Sequence, residues 1–316
     1  MIGATEVLNT IWIGLIYMIL ALPLTLSYRT TRILNFVHIN FITIGAYIGA
    51  ILSALGIKNI IIAIFLAFLV NASIALLDHL AVFTPLIKKG ATELILMISS
   101  LGLWIFYKYL TYAVIDILSL LTRKNMFSLL VYLTVLPDTK LGNIIISGKF
   151  LTTILISGAI VLLLYFFLIR TKLGKAIRAV ADNSILAEIS GIPRDKVMII
   201  TWIICGGIAG IGGLLWGLFS IVTPEVGDSI ILQIFAVSVI GGLSNLLLTA
   251  LGAFLISGAE NIVMTVLNTT LSIPVSFRPF IPFLTLLIVI IIRPPLGAGG
   301  GLPYRFSIIK KLRIRR

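Results

Sequence analysis

Few residues in this sequence are equipped for chemistry, and apolar neighbours set those few apart. Glu260 lies in the apolar run 246–268. Counted from Leu246 at the helical rise, it sits about 21 Å along that run. An ionisable group at such depth in hydrocarbon marks either a solute pathway or a buried ion pair. Lys108 is the base for the second option, unless its stem carries the ammonium to the surface. His38, beside Asn35 and Asn40, opens another apolar run; it is either a pathway group or a satisfied structural histidine. The string Gly241-Gly242-Leu243-Ser244-Asn245 separates two apolar segments. It is either a tight turn or a broken helix whose free backbone groups can hold a polar solute. The glycines between Gly206 and Gly213 suit close helix packing. Asp78, His79 and Glu93 fall at the ends of apolar runs, where water should reach them. The sequence contains no Gly-x-x-x-x-Gly-Lys-Ser/Thr, no His-Glu-x-x-His and no Gly-x-Ser-x-Gly. With two His and one Cys, metal chemistry and a catalytic triad have no basis. There is also no row of intramembrane carboxylates suited to a proton relay.

The elements that position these residues follow from composition. Of 316 residues, 59% are hydrophobic and 11% charged, against about 25% charged in soluble domains. So few charges cannot cover a soluble surface, which excludes a soluble enzyme, a disordered chain and a disulfide scaffold. A spanning helix needs about 20 mostly apolar residues. Nine candidate segments meet or approach this: 9–27, 39–56, 59–77, 92–115, 150–169, 197–222, 229–243, 246–268 and 278–292. The seventh is short for a span. Pro85, Pro137, Pro193, Pro224 and Pro274 fall between segments, where proline is harmless. The stretch 116–149 reads as irregular. Gly45-Ala46-Tyr47 and Gly252-Ala253-Phe254 recur in two segments, too briefly to establish a repeat.

The formal charge is +13. In a membrane chain, such a balance reads as the excess of bases in cytoplasmic loops rather than as a nucleic-acid surface. With loop 170–196 placed inside, alternation also puts 28–38, 78–91, 244–245 and the tail 293–316 inside, and these pieces hold most of the 24 Lys and Arg residues. The N-terminus is then outside and the C-terminus cytoplasmic. The first apolar run has no basic leader and no small-x-small cleavage site, so it reads as a retained span. The run 297–301 reads as a flexible link to the basic tail.

Loop 170–196 predicts two short helices. The first covers 174–181 and directs its bases toward the membrane surface or a partner. The second covers 184–190, with Asp182, Asn183 or Ser184 as its cap and Gly191 and Pro193 as its stop. Ile185, Leu186 and Ile189 share one face of it. That face must be buried on the chain's own bundle, in the membrane interface, or in a partner's groove.

Several motifs, in order, resemble one family. They are Gly14–Tyr17 with Ala21, then Arg32-Ile33-Leu34-Asn35-Phe36-Val37-His38; Leu173-Gly174 through Asp182-Asn183; Gly191-Ile192; Ala209–Gly217; Pro224–Gly227; Phe235–Leu243; Gly252–Phe254 with Gly258–Asn261; and Arg293–Gly297. Together they resemble the LivH-type permease subunits of branched-chain amino acid ABC importers. Pro23 and Ser244 stand where that family commonly has glycine, and Ile39-Asn40 departs from its His-Gly pattern.

The resemblance implies an all-α, polytopic transmembrane bundle of about eight or nine segments. It implies one permease domain over 1–316, containing a cytoplasmic ATPase-docking loop at 170–196. Asn183, Ser184, Ile185, Leu186, Glu188, Ile189 and Gly191 then correspond to the coupling helix. The implied partners are ATP-binding subunits that hydrolyse the ATP, a second permease subunit, an extracellular solute-binding protein and the lipid bilayer. No cofactor is expected on this chain. The expected pathway residues are Gly241, Gly242 and Asn245, with backbone holding a substrate carboxylate, Glu260 facing its amino group, and Asn35 and His38 nearby. Import of urea, amides or another small polar solute, and ion-driven secondary transport, stay open as alternatives.

Overall fold

The computed structural model describes residues 4–141 and 144–292. Helix α1 (Ala4–Thr31) is followed by α2 (His38–Ala54) and α3 (Ile60–Asp78). A π-helical turn, His79–Phe83, carries α3 directly into α4 (Thr84–Lys88). Next come α5 (Glu93–Thr122), a small antiparallel hairpin of β1 (Thr139–Leu141) and β2 (Ile144–Ile146), and α6 (Gly148–Arg170). Two short helices, α7 (Lys172–Asp182) and α8 (Ser184–Ile189), precede α9 (Arg194–Gly217) and α10 (Ile231–Ile240). Helix α11 (Leu246–Gly258) runs through a second π-helical turn, Ala259–Val263, into α12 (Met264–Leu271). A 3₁₀ turn, Val275–Phe277, leads to α13 (Phe280–Ile292). Six of these continuous helices are long and apolar enough to cross a bilayer, and three apolar helices are shorter. The chain is a multi-pass, helical membrane protein.

The structure corrects the sequence reading in several places. The third segment does not stop at residue 77, and 78–91 is not a loop. The helix continues to Lys88, with Pro85 inside it just after the π-helical turn rather than between segments. Asp78 and His79 are therefore buried, at 2% and 4% exposure, rather than wet. Helix α5 runs to Thr122, well into the stretch expected to be irregular, and the hairpin occupies part of the remainder. The tail 293–316, its bases, the glycine run 297–301 and the Arg293–Gly297 motif lie outside the described residues.

Helix α9 is the centre of the bundle, packed on α1, α2 and α3. Its glycines permit this. A Cβ on Gly210 would collide with Asn71 and the Ala67 carbonyl, one on Gly213 with the Ile42 carbonyl, and one on Gly206 with Ala75. Lipid tails are as apolar as the helices, so close backbone contact holds them together.

The order of elements repeats. Helices α1, α2, α3–π–α4 and α5 are matched by α9, α10, α11–π–α12 and α13. The two halves exchange their first helices: α1 packs on α11 of the other half, and α9 packs on α3. Asn59 and Asn245 cap the corresponding helices α3 and α11. Thr10 meets Ser257 and Thr25 meets Thr249, so α1 and α11 are antiparallel. The Gly-Ala-aromatic tripeptides fall on α2 and α11, which are not equivalent elements, so they are not the trace of this repeat.

The second helix of each half begins inside the bundle. After α1 ends, the chain returns along it, so that His38 Nε2 lies 2.8 Å from the Leu20 carbonyl, about 16 Å back from the end of α1. After α9 the chain also turns inward, and the Gly227 amide donates to Thr43 Oγ1 at 3.1 Å. Helix α10 is therefore about 15 Å long, half a hydrocarbon layer of roughly 30 Å. The seventh segment is a half-length helix preceded by non-helical chain that turns into the bundle. Such backbone is tolerated at depth only when buried in protein, and Val222, Val226 and Ile230 are buried.

Candidate functional site

Glu260 stands in the π-helical turn after α11 and is 1% exposed. π-Helical turns widen a helix by one residue and recur at functional positions. Its Oε2 accepts a 2.6 Å hydrogen bond from Tyr17 Oη in the middle of α1, while its Oε1 has no partner. Gln233 of α10 stands beside it, buried and with its own Oε1 unpartnered. The base within electrostatic reach is Arg278, in the linker before α13. Lys108 is elsewhere, so the Lys108–Glu260 pair weighed from the sequence does not form. Glu260, Tyr17 and Gln233 thus form a polar cluster inside an apolar bundle, beside the first turn of α10. Helix N-termini carry partial positive charge and carboxylates carry negative charge, so the two ends of a zwitterion find complementary fields there.

The other expected pathway residues are not brought to this cluster. Gly241 and Gly242 form the turn at the far end of α10, and Asn245 spends its Oδ1 on the amides of Leu247 and Leu248. Glu260 lies about 20 Å further along α11, too far for one amino acid to touch both. A carboxylate also belongs at a helix N-terminus rather than at the C-terminal end of α10, which Gly241 marks. His38 Nε2 donates to the Leu20 carbonyl. Pro23 has no amide and loosens the turn of α1 preceding it, so His38 supplies a donor where the helix is weakened. Asn35 Oδ1 accepts from the Val37 amide and shapes the turn into α2. Both are buried and engaged with backbone.

Lys108 forms a second cluster. Its Nζ lies 2.7 Å from Asp228 Oδ2 and 3.7 Å from Glu225 Oε1. Trp104 Nε1 donates to Asp228, and Tyr112 Oη donates to Glu225. Trp104, Lys108 and Tyr112 are spaced four apart on α5, one face of a helix. That spacing was readable; the partner loop was not. A third group comprises Asp78, which accepts from Tyr107 Oη at 2.6 Å, and His79, stacked on Trp202. Each interrupted helix therefore holds a buried carboxyl against a tyrosine, Asp78 in one half and Glu260 in the other.

The polar loop forms its two helices close to the expected bounds. Asn183 Oδ1 accepts from the Leu186 amide and caps α8, and Gly191 takes φ +85° at its stop. Ala187 is buried against the bundle, but Ile185, Leu186 and Ile189 are 71%, 60% and 78% exposed. Burial of that face on the chain's own bundle is thereby excluded. Arg29, at the end of α1, is 2.6 Å from Asp182, the residue before the cap.

A family described as branched-chain amino acid transport system / permease component matches residues 7–290. This chain belongs to that family. It is 31% identical over 246 residues to the probable branched-chain amino acid transport permease protein LivH of Methanocaldococcus jannaschii, covering 78% of this chain and 76% of that protein. It is 23% identical over 298 residues to the high-affinity branched-chain amino acid transport system permease protein BraD of Pseudomonas aeruginosa, covering 92% and 93%. The ribose import permease protein RbsC of Escherichia coli is 32% identical over 94 residues, 29% of each chain. No solved structure matches significantly. The chain is thus a permease component, and these relatives are named as transport permeases.

Proposed function

We propose that this permease is the membrane domain of an ATP-driven importer of branched-chain amino acids. The observation that carries the reading is the exposed apolar face of α8. Three large aliphatic side chains are exposed on a capped helix in the long basic loop, a face that the groove of a partner would cover. An ATPase subunit seated there supplies the energy that this chain, with no phosphate-binding loop, has no motif to extract. On this reading loop 170–196 is cytoplasmic, the N-terminus is outside and the C-terminus is inside. The whole of 1–316 is one transport domain that binds no cofactor itself. A second permease and an external solute-binding protein complete the complex. Within the bundle, Glu260 receives the substrate ammonium in exchange for Arg278, the first turn of α10 faces the carboxylate, and apolar walls accept the aliphatic side chain.

The test is reconstitution of the permease with its ATPase and binding protein in vesicles. Uptake of labelled L-leucine should require ATP, survive collapse of ion gradients, and be competed by isoleucine and valine but not by urea or acetamide. Uptake that follows an ion gradient without ATP would replace this reading by secondary transport.

A further inference from the structure

A cavity of about 510 Å³ opens on the face that carries α7 and α8. It is lined by the end of α1 (Arg29 and Arg32), the end of α7 (Ala181 and Asp182) and the turn into α11 (Ser244 to Leu247). Its chemistry is two-sided. Arg32 holds a left-handed backbone, φ +58°, a conformation that L-residues other than glycine and asparagine avoid. Its guanidinium has no ion pair or hydrogen bond among the described residues. Asp182 gives Oδ1 to Arg29 and keeps Oδ2 free. Leu246 and Leu247 add an apolar wall. A free cation, a half-free carboxylate and an aliphatic surface around one cavity match an apolar α-amino acid. Arg29 already pairs with Asp182, so the lining carries one net positive charge and phosphate is the competing ligand.

We infer that this cavity is a second binding site, in which an apolar α-amino acid on the cytoplasmic side places its carboxylate on Arg32, its ammonium on Asp182 and its side chain against Leu246 and Leu247. The inference rests on the importer reading for the side of the membrane and the ligand class. Its consequence is product inhibition. The cavity joins α1, the residue before the α8 cap, and the α10–α11 turn. A ligand that bridges all three binds best to the arrangement in which they are together, and it holds that population against the movement of transport.

The experiment uses the reconstituted complex, with L-leucine present or absent on the cytoplasmic side, and follows ATP hydrolysis together with net uptake. Cytoplasmic L-leucine should slow both about fivefold or more in the wild type, the usual size of a coupling between sites. Arg32→Gly suits the left-handed backbone and so removes the cation without a folding cost; it should abolish the inhibition, and Arg32→Lys should restore part of it. Isocaproate, which lacks the ammonium, and isoamylamine, which lacks the carboxylate, should both inhibit far less. Inhibition that is absent in the wild type, or equal in Arg32→Gly, would overturn the site. Isocaproate, inorganic phosphate or anionic lipid acting as well as leucine would also overturn it, in favour of a simple anion site. Should the vesicles not import at all, the importer reading falls by itself. Binding of L-leucine to the purified full chain, compared between Glu260→Gln and Arg32→Gly, then decides the cavity alone: loss only in Arg32→Gly supports it, and retention contradicts it.

Discussion

At the scale of the residue, Glu260 is the group on which the transport reading makes its sharpest demand. Glu260→Gln keeps the shape and can still accept from Tyr17 Oη, but it cannot attract an ammonium. Leucine uptake should fall about tenfold or more, the loss of one charge-assisted interaction, at unchanged protein level in the membrane. Full uptake by that variant removes Glu260 from the transport step. His38 carries the opposite expectation. Its hydrogen bond to the Leu20 carbonyl is buried, so His38→Ala removes that bond and leaves a cavity, and should cost about 1–3 kcal/mol, read as a lower unfolding temperature in detergent. Glu260 was legible from sequence because a carboxyl in an apolar run is rare. Its partners were not, since Tyr17 and Glu260 are 243 positions apart and no local spacing records that contact. Lys108 was legible as an anomaly but not as the partner of Asp228, for the same reason.

At the scale of the element, the sequence was most informative where local chemistry decides. The Asn183 cap and the Gly191 stop bounded α8 correctly, because caps depend on residues within a single turn. The π-helical turns left no such mark. Apolar residues continue through Leu80–Phe83, and the polar pair Asp78-His79 before them resembles a segment end. Helix α10 was too short by composition, yet only the packing shows that the chain before it re-enters the bundle. Two element-scale predictions follow from this. Asn183→Ala removes the α8 cap and should weaken that helix by about 0.5–2 kcal/mol, seen as reduced leucine-stimulated ATP hydrolysis with the bundle intact. Gly210→Leu places a side chain where Ala67 and Asn71 already lie. It should prevent α9 from packing and eliminate the folded protein, measured by size-exclusion profile in detergent.

At the scale of the whole molecule, the recurrence of four elements in each half divides the permease into two interlocked units. Each unit lends its first helix to the other, so neither moves without displacing its partner. The Lys108 cluster ties α5 of one half to the loop before α10 of the other. Lys108→Asp should loosen that tie and lower uptake, and Lys108→Asp combined with Asp228→Lys should recover much of it. No recovery in the double variant would make the pair incidental. In the proposed importer, docking at α8 joins these movements to an energy source, through the Arg29–Asp182 contact between the end of α1 and the residue before the α8 cap. The most direct measurement is co-purification of tagged permease from its native membrane in mild detergent, comparing wild type with Ile185→Asp/Ile189→Asp. The account predicts an ATPase subunit retained by the wild type and lost by the variant, with the variant still folded. An ATPase held equally by both would contradict docking at α8, and none held by the wild type would contradict ATP-driven import.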